Sequence, residues 1–221
     1  MKDLILKRHS VRKYLSKEIE TEKINEINSY LEDINKNNNL DFKLFVGEDI
    51  FKNWILGYGF IKNCNNYILM SGLDDETLDE RVGYYGEMVV LKLLSMGINS
   101  CFVGGTYNKK KVSNDLKEGY RKVLVLALGY GDGEGVLAST KEFDEISLTK
   151  DVPNWFKNGI EMVKYAPSAI NQKKWKFEFI KPNIVRALPG GKHFPLVDLG
   201  IAKLHFEIGA GKDNFKWDNE V

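Results

Sequence analysis

The sequence predicts an α+β chain, on three observations. Glu80 to Met96 places Met88, Val89, Leu91, Leu93 and Leu94 in a helical pattern that stops at Gly97. Val123 to Leu128 is a continuous apolar run, the pattern of a strand buried on both faces. Phe42 to Val46 alternates in polarity, as a half-buried strand does.

The other elements follow in order. Asp3 to Lys7 reads as a short helix that leads into a basic arm. Ser16 to Leu31 has acidic residues early and Ile19, Ile24, Ile27 and Leu31 at helical spacing, which predicts an amphipathic helix. Tyr67 to Met70 is apolar enough for a strand or a buried helix end. The glycine-rich stretch at 129–135 reads as a loop, and the chain from there to about residue 150 as a linker. Pro153 opens a helix through Lys164, since proline suits a first helical turn. Two strands near Trp175–Ile180 and Asn183–Val185 and a helix near Val197–Ile208 complete the pattern.

Composition narrows the function classes. At 221 residues and 43% hydrophobic, the chain can bury a substantial core. Basic and acidic residues number 32 and 31, so no global field favours nucleic acid or an anionic membrane. No window approaches the ~18 uninterrupted apolar residues of a spanning helix. The first eight residues lack the pattern of a secretory signal. Cys64 and Cys101 fit no metal or redox spacing and read as reduced thiols, so a cytoplasmic location is expected. His9, His193 and His205 show no paired metal-ligand spacing, and His205 reads as a packed or surface histidine rather than a general base. Gly129-Tyr130-Gly131-Asp132-Gly133 follows a strand but is not followed by the helix a dinucleotide fingerprint needs. There is no Walker motif, no Gly-x-Ser-x-Gly elbow and no metal site.

Two short segments carry the chemistry. In Arg8-His9-Ser10-Val11-Arg12, the two arginines lie four apart and read as one face of a helix end; their planar forks suit phosphate oxygens. Ser10 and His9 add donors. A solvated basic helix end explains the same residues without a ligand. Arg12 alternatively suits the pyrimidine edge of a flavin ring, and the sequence does not choose between these roles. In Ala166-Pro167-Ser168-Ala169-Ile170-Asn171-Gln172, the small and restricted Pro167, Ser168 and Ala169 let backbone approach a flat ring. Asn171 offers both donor and acceptors to its polar edge. A plain helix stop and turn would use similar residues. Trp175 reads as core. Flavin mononucleotide has both a phosphate and such a ring.

These segments resemble the nitroreductase family of flavin enzymes. Lys7 to Tyr14 is similar to that family's N-terminal arm, and Tyr165 to Phe177 to its proline-serine-asparagine loop and following Trp. Gly97 to Gly105 resembles the turn that brings backbone against the flavin, with Gly104 and Gly105 near N5. Leu126 to Gly131 followed by Lys141 resembles the strand and basic tail that end ordinary members, with Lys141 a further phosphate partner. In typical members the proline-serine loop closely follows the arm. Here Ile34 to Leu40 stands in that place and the good copy of the loop comes much later, as in a branch whose chain holds two related halves.

A weak internal repeat agrees with duplication. One offset lays Gly86 on Gly200, Leu94 on Ile208 and Gly97 on Gly211; another lays Asn38 on Asn171, Phe42 on Trp175 and Lys43 on Lys176. Two unrelated amphipathic helices that each end at glycine would give the first set as well. The resemblance implies a single nitroreductase-like domain over 1–221, divided into halves 1–150 and 151–221 that form an internal pseudo-dimer, with a central mixed or antiparallel sheet. It implies FMN as cofactor and NAD(P)H as donor. Two electrons would pass through flavin N5 to a nitroaromatic or quinone-type acceptor in ping-pong fashion, with no protein acid–base dyad. A monomer is favoured over a homodimer. The competing expectations are a flavin-binding protein without turnover and a flavin-free scaffold.

Overall fold

A computed structural model of the chain describes residues 1–52, 61–113, 115–133 and 140–218. The chain forms two compact units: Met1–Arg8, Asp79–Met88 and Leu137–Val221 make the first, and His9–Leu78 and Val89–Val136 the second. Both mix helices with sheet, so the α+β class holds. Residues 134 and 135 of the expected glycine loop lie outside the described residues.

The second unit is built on a four-stranded antiparallel sheet in the order β1-β2-β4-β3. Its strands are β1 (Lys43–Val46), β2 (Asn66–Leu73), β3 (Asn99–Val103) and β4 (Tyr120–Gly129). The two central strands are the most apolar: all of β2 except Leu73, and β4 from Leu124 on, are buried. One face packs Val11, Tyr14, Phe51, Tyr67, Leu69 and Val125 into a core. Helix α2 (Thr21–Asn38) buries Ile27, Leu31 and Ile34 and ends at Asn39 in the left-handed region (φ 52°), which asparagine tolerates. Its start corrects the expected boundary, because Ser16 to Glu20 is not helical. Asn99–Val103, expected to turn against a ligand, is instead strand β3, paired along its length with β4.

The basic arm is also not a helix end. Helix α1 (Lys2–Lys7) stops at Arg8, whose ψ of 130° is extended. Beyond it, Val11 N–H donates to Ser100 O at 3.0 Å and Tyr14 N–H to Lys62 O at 3.0 Å, so isolated bridges to neighbouring backbone hold the arm extended. Arg8 and Arg12 therefore do not share a helical face.

The first unit centres on α6 (Pro195–Ala210), which is apolar enough to be buried on every side. Around it stand α4 (Phe143–Ile146), α5 (Asn154–Val163) and a small mixed sheet of β5 (Lys176–Ile180), β6 (Ile184–Leu188) and β7 (Lys216–Trp217). Phe206 of α6 stacks on Phe177 with centroids 5.1 Å apart and meets Phe156 edge-on at 5.2 Å. Helix α3 (Leu78–Ser95) lends residues 79–88 to this unit. There it meets α6 at backbone distance: a Cβ on Gly83 would lie 2.0 Å from Val197 O, and one on Gly200 2.0 Å from Glu80 O. Only glycine fits either position. Beside that crossing, Lys203 pairs with Glu80 at 2.6 Å and Tyr84 donates to Glu207.

Candidate functional site

The Ser168–Lys173 segment connects α5 to the strand after Trp175 and is held in an unusual conformation. Ile170, Asn171 and Lys173 all have positive φ, at 48°, 56° and 43°. For a β-branched isoleucine this costs on the order of 1–2 kcal/mol. Hydrogen bonds impose it. Asp198, in the first turns of α6, accepts from Ala169 N–H at 2.9 Å and from Gln172 Nε2 at 3.0 Å. Gln172 also donates to His193 O, and Ser168 Oγ accepts from Lys173 N–H at 2.9 Å. Burial raises the Asp198 carboxyl to about 6, against the pull of these donors. Ile170 stands 81% exposed beside an open cavity of about 430 Å³ lined also by Gln172, Lys174, Gly191, Lys192 and His193.

The strained segment delivers Lys173 inward. Its ammonium donates to Lys164 O at 2.7 Å, and it is only 2% exposed. Desolvation, then the charges of Arg8 and Lys141, lower it to about 8. Arg8 is itself buried, and its Nε has no hydrogen-bond partner among the described residues. The carboxylate nearest to it is Glu87, with Oε1 3.6 Å from Nε. Lys141 lies 3.8 Å from Glu145, whose side chain is 54% exposed, so that pair is screened by water. The three cations repel one another and are only partly balanced by Glu87 and Glu145, while Ser168 Oγ, which accepts from Lys173 N–H, keeps its own proton to donate. Such a cluster suits a multivalent anion.

The structure brings Arg8, Lys141 and the Pro167–Asn171 segment into one unit. Pro167, Ser168 and Ala169 are partly exposed there, and Asn171 is exposed. His9, Ser10, Arg12, Gly104 and Gly105 belong to the other unit. In it Ser10 bridges Ser100 of β3, Arg12 is exposed, and Gly104 and Gly105 follow β3 in open backbone where a Cβ on Gly105 would meet nothing. Lys173, Glu87 and Asp198 escaped sequence reasoning. Lys173 stands in a Lys-Lys pair whose second member is exposed, and nothing local marks which one is buried. Trp175 is core, as expected, at 2% exposed.

The fold defines an α+β protein with a cationic cluster in its first unit. A family model described as "Putative TM nitroreductase" matches residues 1–210, and the chain belongs to that nitroreductase family of oxidoreductases. A solved structure from Thermotoga maritima, titled a "putative nitroreductase", is 20% identical with a TM-score of 0.67, over 96% of this chain and 84% of that one. A "Putative NADH dehydrogenase/NAD(P)H nitroreductase" from Bacteroides thetaiotaomicron is 19% identical with a TM-score of 0.52, over 65% and 94%. An FMN-dependent nitroreductase from Clostridium difficile is 20% identical with a TM-score of 0.50, over 61% and 89%. These likenesses concern the fold. No curated protein matches the chain. Among the described residues no helix is long and apolar enough to cross a membrane.

Proposed function

We propose that the chain is an FMN-dependent oxidoreductase that takes two electrons from NAD(P)H and gives them to a small organic acceptor of nitroaromatic or quinone type, by a ping-pong mechanism. The observation that carries this is the cationic cluster of buried Arg8 and Lys173 with partly buried Lys141, its charge only partly balanced by Glu87 and Glu145, in a member of the nitroreductase family. The cluster fits a phosphate dianion: Arg8 brings an orphaned N–H, Lys173 an ammonium and Ser168 a hydroxyl proton. Pro167, Ser168 and Ala169 offer backbone to the ring, and Asn171 its amide. His9, Ser10, Arg12, Gly104 and Gly105 stay expectations of the family resemblance. FMN, when bound, supplies the redox chemistry, and the protein supplies binding and orientation. A cytoplasmic location remains the expectation, in keeping with the free thiols of Cys64 and Cys101.

The internal pseudo-dimer belongs to the same proposal. The offset that lays Gly86 on Gly200 also lays Gly83 on Val197, and those two residues touch where α3 crosses α6. Elements related by a two-fold axis meet at equivalent residues, as at an isologous interface. A monomeric mass by sedimentation equilibrium is the expected result.

The test is an absorption spectrum after FMN addition and desalting, followed by stopped-flow mixing with NADH and NADPH. Retention near one FMN per chain with rapid bleaching supports the reading. Retention without bleaching makes the chain a flavin-binding protein lacking turnover. A folded protein that retains none at micromolar concentration rejects it. Arg8→Ala is expected to weaken FMN binding by about tenfold or more, the scale of a lost charge-assisted hydrogen bond.

A further inference from the structure

Four polar side chains of α6 are buried: Asp198, Lys203, His205 and Glu207. Three have local tasks, since Asp198 holds the strained loop, Lys203 pairs with Glu80, and Glu207 accepts from Tyr84 and Trp217. His205 differs because its contacts lead to Arg8. His205 and Glu87 are both fully buried. The imidazole Nδ1 faces Met162 O at 3.1 Å and Nε2 faces Glu87 Oε1 at 2.9 Å. A carbonyl only accepts, so Nδ1 carries a proton. Nε2 then faces a carboxylate oxygen across hydrogen-bond distance, so a second proton lies between the two groups. With that shared proton the pair is neutral overall, and the permanent charge of Arg8 lies 3.6 Å from the same Oε1.

The charge count follows. Arg8 and His205 against Glu87 leave one net positive charge; an uncharged residue at 205 would leave none. The distances show which cation holds the carboxylate. His205 sits at hydrogen-bond distance, while Arg8 Nε and Glu87 Oε2 are both buried without a hydrogen bond among the described residues. Arg8 has therefore not closed the bidentate fork that an arginine and a free carboxylate form.

We propose that His205 is a positioning residue for anion binding: by occupying Glu87, it keeps the Arg8 guanidinium available to the phosphate of the bound ligand. The proposal rests on the FMN reading above. Without the imidazolium, Glu87 becomes an internal competitor for Arg8. The closing measurement compares FMN with riboflavin, which has the same ring and no phosphate, by equilibrium titration of wild type, His205→Gln, Glu87→Gln and the double variant. In His205→Gln, FMN binding is expected to weaken about tenfold or more while riboflavin changes by less than about twofold, because only the phosphate senses the charge. In Glu87→Gln the shared proton leaves with the carboxylate charge, so Arg8 stays cationic beside a neutral histidine and FMN affinity stays near wild type. The double variant regains the FMN preference that His205→Gln loses. A double variant as weak as His205→Gln, or equal losses of FMN and riboflavin, would reduce His205 to packing and overturn the proposal. Should His205→Gln fail to fold, Glu87→Gln decides: loss of the FMN preference there shows that Arg8 needs its carboxylate. Wild type that binds riboflavin as tightly as FMN rejects the phosphate site itself, and this inference with it.

Discussion

At the scale of single residues, Asp198 and Lys173 set opposite pH dependences. The Asp198 carboxyl rises from its ordinary 3.8 to about 6, chiefly through desolvation. Between those values the folded state holds a proton that the unfolded chain has lost, so stability falls as pH rises through the window and is level above it. On the order of 2–3 kcal/mol is expected to disappear between about pH 4 and 6.5. Asp198→Asn should lack that component in urea titrations across the range, and an unchanged profile would assign it to other carboxylates. Lys173 is lowered from 10.5 to about 8 by desolvation, then by Arg8 and Lys141. Its contribution to stability is present above 10.5 and is lost as pH falls through 8, where burial of the charged amine begins. A bound dianion favours the charged amine, so FMN affinity is expected to hold from about pH 6, the second phosphate ionisation, to about 8 and to decline above. Lys173→Gln should remove the upper limb of that profile and leave the lower. A full upper limb in the variant would show that another group titrates.

At the scale of elements, the crossing of α3 and α6 depends on two missing side chains. Alanine at 83 or 200 gains about 1 kcal/mol of helix propensity. Against that stands a methyl 2.0 Å from a backbone carbonyl, which has no rotamer to escape into. Gly83→Ala and Gly200→Ala are each expected to lower stability by about 2 kcal/mol or more in urea unfolding. A neutral result would mean that the helices separate freely. The helices themselves were legible in the sequence, since α3 and α6 repeat their apolar pattern over several turns, and β4 is an unbroken apolar run. The tight crossing was not, because a glycine inside a helical pattern does not name its neighbour. Strand β3 was hidden behind its flanking glycines, and its pairing with β4 is a tertiary fact. The Arg8 end of the cationic cluster could be read from the basic arm, although the arm was assigned the wrong geometry. Lys173 and Glu87 could not, because burial rather than residue type gives them their part.

At the scale of the whole molecule, the chain passes between the two units four times, at residues 8/9, 78/79, 88/89 and 136/137. Two of these passages fall within or at the end of a single unbroken helix, α3. If the first unit unfolded alone, residues 79–88 would have to leave the helix while Val89, Val90, Leu91 and Leu93 kept their buried places beyond them. Helix formation is cooperative, and a costly new terminus would open in mid-chain. One cooperative transition is therefore expected. The fourth tryptophan, Trp54, falls in the second unit, so a Trp54→Phe variant supplies a separate probe for each: Trp155, Trp175 and Trp217 lie in the first, and the buried thiols of Cys64 and Cys101 in the second. Burial also raises the Cys64 thiol to about 11, which keeps it unreactive until it is exposed. Tryptophan fluorescence excited at 295 nm, roughly the red edge where tyrosine contributes little, and thiol labelling should report the same urea midpoint. Thiols that become reactive well before or after the fluorescence change would show that α3 breaks at the boundary and that the units unfold independently.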